Sequence, residues 1–228
     1  AGVAWYQGEN DADIPAMCEA YGARFARFAA HVRRLFHAPE LPFYTVQINK
    51  STEGRTSPEL AGRMREEQRQ AAHRIPHVYV VPAHDLPMSD HVHNNTAANG
   101  VIGERLAWSA LENEYHLPYF GKAPDAISAK RTRTDTGMQV QVLFDNVVMG
   151  LSDFGCTAPI VRLRTDGNGT LPIRSAECRG NALYVRTDLY DGPLTIDIAY
   201  EALPSVPVLP IDRGTGMPLL GVYGMAVE

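Results

Sequence analysis

Apolar residues follow two different rhythms along the chain. Up to about residue 121, short apolar runs alternate with segments whose apolar positions recur every three or four residues. Gly2–Tyr6, Pro42–Ile48 and His77–Val81 read as buried strands. Met17, Tyr21, Phe25, Phe28, Val32 and Leu35 fall on one face at helical spacing and predict an amphipathic helix over 16–36. Ser57-Pro58 supplies a capping hydroxyl followed by proline in a first turn, and Leu60, Met64 and Ala71 form the inner face of the helix it starts. A third helix is predicted from Thr96 to about Glu114, buried through Val101, Ile102, Leu106 and Leu111. Strands alternating with helices imply a parallel sheet with right-handed crossovers, an open α/β arrangement.

Beyond that point the helical period disappears. Ala126–Thr132, Met138–Phe144, Ile160–Leu163, Ala182–Thr187, Leu194–Ala199 and Leu219–Tyr223 are short β-rich runs with Asp-Gly, Gly-Asn and Gly-Thr turns between several of them. Met138, Val140, Val142 and Phe144 alternate as in a half-buried antiparallel strand. This half predicts a small all-β, sandwich-like domain. The boundary is placed in the Leu117–Gly121 stretch, giving domains 1–121 and 122–228.

Composition narrows the class. Ten Tyr, seven Phe and two Trp among 228 residues provide the bulk of a packed core and exclude disorder as the main state. A net charge of −5 argues against a nucleic-acid partner, which asks for a basic excess. No run approaches the ~18–20 apolar residues that span a bilayer, so a membrane is not an expected partner either. Cys18, Cys156 and Cys178 are too few and too far apart for a disulfide framework or a zinc site, and permit one bridge at most. All eight histidines lie in the first half.

In an open parallel sheet ligands bind beyond the carboxyl ends of the strands. That rule marks the loops 7–14, 49–57 and 82–95. The first carries Gln7-Gly8-Glu9, where an amide can donate into a cleft and glycine permits a sharp turn. The third carries Ser89-Asp90-His91-Val92-His93-Asn94. Asp90, His91 and His93 could ligate a metal. Alternatively Asp90 and His93 form the acid–base arm of a hydrolase, the carboxylate orienting an imidazole that activates a nucleophile. The plain reading of the same residues is a polar loop ending in a helix cap.

Taken together, Trp5-Tyr-Gln-Gly-Glu-Asn10, Leu41-Pro-Phe-Tyr-Thr-Val-Gln47, Met64-Arg-Glu-Glu-Gln68, Asp90-His-Val-His93 and Gly103-Glu-Arg-Leu-Ala107 resemble, in order, the sialate O-acetylesterase branch of the SGNH hydrolases. The related acetylxylan esterases share the Gln-Gly-Glu and Asp-x-x-His elements. The resemblance implies a partial flavodoxin-like sheet with flanking helices, followed by an accessory β domain. It implies His93 as general base, Asp90 as its orienting acid and Gln7 as oxyanion-hole amide, with Glu9 and Gly8 supporting. Arg63 and Gln68 match helix positions of structural role. The expected substrate is an O-acetylated sialic acid or related glycan, no metal or organic cofactor is called for, and an extracellular, periplasmic or lysosomal location is favoured.

The family's nucleophile is a serine in a Gly-x-Ser turn after the first strand of the fold. None of the eight serines stands in such a turn. Ser89 is nearest to the Asp90–His93 pair but shares its loop, whereas a nucleophile usually comes from another strand end. The expectation is therefore a chain that represents the C-terminal part of a larger esterase, inactive alone, with the serine contributed by a missing N-terminal segment of the same enzyme. A non-catalytic carbohydrate-binding module derived from such an esterase is the alternative, and a metal-dependent hydrolase the third.

Overall fold

The computed structural model describes residues 2–52, 54, 56–118, 120–153, 158–167 and 169–228. Two compact units are present: Ala1–Lys122 with Glu201–Leu203, and Ala123–Tyr200 with Pro204–Glu228. Among the described residues no helix is long and apolar enough to cross a membrane.

The first unit is built on three parallel strands, β1 (Val3–Trp5), β2 (Phe43–Gln47) and β3 (Val78–Pro82), in the order β1-β2-β3. Successive residues of β2 point to opposite faces. Phe43 enters a core with Phe25 and Ala29 of helix α3 (Tyr21–Leu35) and with Met64 and Ala71 of α4 (Pro58–Arg74). Val46 enters a second cluster with Val81 and with Ala98 and Ile102 of α5 (Thr96–Asn113). Both faces of the sheet are thus covered, as a parallel sheet requires. The capping residues are local and legible: Ser57 Oγ accepts from the Leu60 N–H at 3.2 Å, and Asn95 Oδ1 from that of Ala98 at 2.9 Å.

Two departures concern helices. The segment expected as one helix over 16–36 is two, α2 (Pro15–Glu19) and α3, parted at Ala20 with φ −87° and ψ −5°. The bend lets Cys18 and Tyr21, both buried, face different partners: Cys18 Sγ approaches the Leu60 carbonyl, and the Tyr21 hydroxyl donates to the Gln7 carbonyl. Leu35 lies in the last turn of α3 and is 65% exposed rather than part of the inner face. The loop after β1 also coils into a short helix α1 (Glu9–Ala12) that alternation could not reveal.

The second unit contains two four-stranded antiparallel sheets. One has the order β4 (Asp125–Thr134), β5 (Gly137–Asp145), β10 (Ala182–Thr187), β9 (Ser175–Arg179); the other β13 (Val222–Ala226), β11 (Leu194–Ile198), β7 (Val161–Thr165), β8 (Thr170–Leu171). A further short pair joins β6 (Leu151–Ser152) to β12 (Ile211–Asp212). Val140, Val142, Phe144 and Leu183 from one sheet and Leu163, Ile196 and Ile198 from the other form a single core. β9 escapes the apolar pattern because Ala176 alone among its five residues is buried. Leu219 and Leu220 are buried outside any strand, their N–H groups donating to the carbonyls of Pro210 and Pro124. Cys18 and Cys178 are free thiols that burial pushes up to about 11 and about 12, and Cys156 lies outside the described residues.

Candidate active site

The segments after β1 and β3 meet at one open cleft of about 350 Å³, lined by Tyr6, Gln7, Glu9, Asn10, Val92, His93, Asn94 and Asn99. Gln7 and His93, 86 residues apart in sequence, therefore share a cavity because β1 and β3 flank β2 in a parallel sheet. The loop after β2 reaches the same region through Asn49 but contributes none of these lining residues. Its Glu53 and Arg55 lie outside the described residues.

The Asp90–His93 arm is a tight local structure. Ser89 N donates to the His93 carbonyl at 2.8 Å, closing the turn. Asp90 Oδ1 accepts from the N–H groups of Val92 (2.8 Å) and His93 (2.7 Å), and Oδ2 lies 2.8 Å from His93 Nδ1. Those two backbone donors and the imidazole hold the Asp90 carboxyl well below the usual carboxylate range. An ionised carboxylate only accepts, so Nδ1 carries the proton of neutral His93 and Nε2 is left with its lone pair. The pair is open to solvent, with His93 75% exposed.

Gln7 is held at both ends. Its carbonyl accepts from the Tyr21 hydroxyl (3.0 Å) and from Gln68 Nε2 (3.1 Å). Its amide nitrogen donates one hydrogen to Asp11 Oδ2 at 2.6 Å, and a second hydrogen remains on the same nitrogen. Gly8 has φ +153°, and a Cβ there would stand 2.8 Å from Gln68 Nε2 and 2.9 Å from Ile48 Cγ2. Only glycine fits that approach. Glu9 opens α1 beside the cleft; burial raises its carboxyl above the ordinary value, against the pull of backbone N–H groups and of His93.

Residues 1–112 match the family described as carbohydrate esterase, sialic acid-specific acetylesterase. The matched segment is 112 of the 228 residues, just under half of the chain. The match covers β1 through most of α5, with the cleft inside it. A carbohydrate acetylesterase from Xanthomonas citri superposes on 96% of this chain with a TM-score of 0.81 and 23% identity, a likeness of fold that takes in the β-rich unit as well. The chain spans 49% of that protein's length. An Arabidopsis thaliana protein is 33% identical over 49% of this chain and 44% of its own, with a TM-score of 0.44. No curated protein matches.

Within this matched segment, several polar residues around the cleft went unseen in the sequence. Asn94 is a hub: it accepts from Asn49 Nδ2 at 2.6 Å and donates to the Tyr6 hydroxyl at 3.1 Å and to Asn99 Oδ1 at 3.3 Å. Burial, with Glu9 nearby, pushes the Tyr6 hydroxyl up to about 12. The arginine that stands three residues before Gln68 is Arg65, fully buried, whereas Arg63 is on the exposed side of α4 against Glu19 at 3.0 Å. The structural position assigned to Arg63 is filled by Arg65. Asp11 follows Gln7 by four residues, one helical turn, a signal usable only once α1 is known.

The same loop places Ser89 and the candidate metal ligands. Ser89 Oγ donates to the carbonyls of His93 (3.2 Å) and Asn94 (3.3 Å), so its proton is not directed at the imidazole. None of the eight serines lines the cleft. Among the described residues no three His, Cys, Asp or Glu side chains converge to hold a metal ion, and both Asp90 oxygens are already engaged within the loop.

Proposed function

We propose that this chain supplies the base, its orienting acid and an oxyanion donor of a carbohydrate O-acetylesterase that removes acetyl groups from sialic acid or a related glycan. The observation that carries the reading is the 2.8 Å Asp90–His93 contact in the same cleft as the Gln7 amide. His93 Nε2 takes the proton of a serine as its oxygen attacks the acetyl carbonyl. Asp90 keeps the imidazole in the required tautomer and stabilises the imidazolium. The remaining Gln7 N–H donates to the tetrahedral oxyanion, the sugar hydroxyl leaves with the proton from His93, and water then releases acetate. In this reading the attacking serine is not one of the residues that line the cleft.

The absence of a serine from the cleft lining favours one competing reading, a carbohydrate-binding module without catalysis. One experiment separates the two. In the full-length protein, hydrolysis of acetylated sugars is expected to fall by about 10⁴-fold in kcat on Asp90→Asn or His93→Ala and by about 10²–10³-fold on Gln7→Ala. A fluorophosphonate should modify a serine outside these 228 residues. Full activity in the His93 variant, or a stoichiometric adduct on Ser89, would overturn the assignment; inertness of the full-length protein would leave the binding module.

A further inference from the structure

We infer that Asp11 and Arg24 are a positioning pair for the Gln7 amide, Asp11 fixing its orientation and Arg24 cancelling the charge this places beside the oxyanion. The inference rests on the reading of Gln7 as oxyanion donor.

Asp11 is 5% exposed, and a buried carboxylate is costly unless its oxygens are matched. Here they are: Oδ2 accepts from Gln7 Nε2 at 2.6 Å and Oδ1 from Arg24 Nη1 at 3.0 Å. A primary amide has two N–H donors on one side and an acceptor oxygen on the other. Left to itself, the Gln7 side chain could turn its amide over and present oxygen to the reaction, where it would repel the oxyanion. An acceptor-only carboxylate excludes that state, because the turned amide would set oxygen against oxygen. Asp11 is on α1, four residues after Gln7, while the backbone of Gln7 is clamped by Tyr21 and Gln68. The whole residue is thereby fixed, as an oxyanion donor must be.

The device has an electrostatic cost. A carboxylate one hydrogen bond away from the donating amide opposes the negative charge that develops on the substrate oxygen. Arg24, reaching from α3 to the second Asp11 oxygen, offsets it. Its side chain is 46% exposed, so the compensation is open to screening by salt.

The test uses the full-length protein with p-nitrophenyl acetate, comparing Arg24→Met, Asp11→Asn and the double variant, with Gln7→Ala as reference and thermal unfolding measured throughout. Arg24→Met is expected to lower kcat by about tenfold or more with KM changed less than about twofold, the loss varying with ionic strength. Adding Asp11→Asn should recover part of that loss, since it removes the charge, but not all of it, since asparagine has an NH2 of its own and no longer excludes the turned amide. A pair that merely ties α1 to α3 would lower Tm in every variant, leave kcat of the folded protein unchanged and show no recovery, which would overturn the inference. Full activity in Gln7→Ala would instead remove the reading on which it rests.

Discussion

Two carboxyl groups near the same cleft are held on opposite sides of their ordinary range. Asp90 is depressed by three hydrogen bonds to its charged form, so it stays ionised through neutral and mildly acidic conditions. Glu9 is raised, because burial disfavours its charge more than its backbone donors and His93 favour it. For Glu9 the native state binds more protons than the unfolded chain at pH values between the ordinary carboxyl value of ~4.3 and the raised one. Its contribution is therefore full below the unfolded value and is lost as pH rises through the folded value. Glu9→Gln keeps the shape and removes the titration. Calorimetry should find the variant and the parent alike near pH ~4 and the variant the more stable at pH ~7. A gap that is constant or reversed across that range would show that Glu9 is not destabilised by burial. Gln7, Gly8, Glu9, Asp90 and His93 could be nominated from sequence because each group of partners is local, three or four residues long. Asn94, Asp11 and Arg24 could not, since their roles depend on contacts across the fold or on a helical turn that no alternation announces.

Helix α4 shows why elements are easier to read than their inner faces. Its start follows from Ser57-Pro58, and its apolar face from Leu60, Met64 and Ala71. A sequence containing Arg63, Arg65, Glu66 and Glu67 nevertheless suggests a solvated opposite face, and Arg65 breaks that rule. It is fully buried, and its guanidinium donates to the carbonyls of Ile48 (3.1 Å), Asn49 (3.0 Å) and Glu201 (2.6 Å). The first two follow β2 directly, so Arg65 fixes the chain where Asn49 turns toward Asn94. Burial lowers the guanidinium to about 10, against the opposing pull of Tyr6 and Glu201. Lysine has a point charge and no planar fork. Arg65→Lys is expected to lose about 3 kcal/mol of stability, read as a lower urea midpoint. A loss within ~0.5 kcal/mol, the range of an ordinary surface change, would mean the carbonyl cage is not a stabilising feature.

At the scale of the molecule, the change from a helical period to a period of two announces a change of architecture, but not the strand order. Neighbours such as β5 and β10 pair across some forty residues, and nothing in either strand's alternation names its partner. What the assembled cores add is a division of labour. Met64 is fully buried in the core beneath Gly8, with its sulfur 3.3 Å from where a Gly8 Cβ would be. Ile196 is fully buried in the β-rich core, and among the described residues none belongs to both clusters. Met64→Ala and Ile196→Ala each remove a large apolar side chain from a closed environment, and each should cost about 2–5 kcal/mol. Their effects on function should part company. The Met64 cavity loosens the turn that carries Gln7 and should lower kcat of the full-length protein by about tenfold, since small misplacements at a reacting centre are amplified. Ile196→Ala, assayed below its melting temperature, should keep kcat and KM within about twofold of the parent. Equal losses of turnover in the two variants would mean that the cleft draws on the β-rich core as much as on its own.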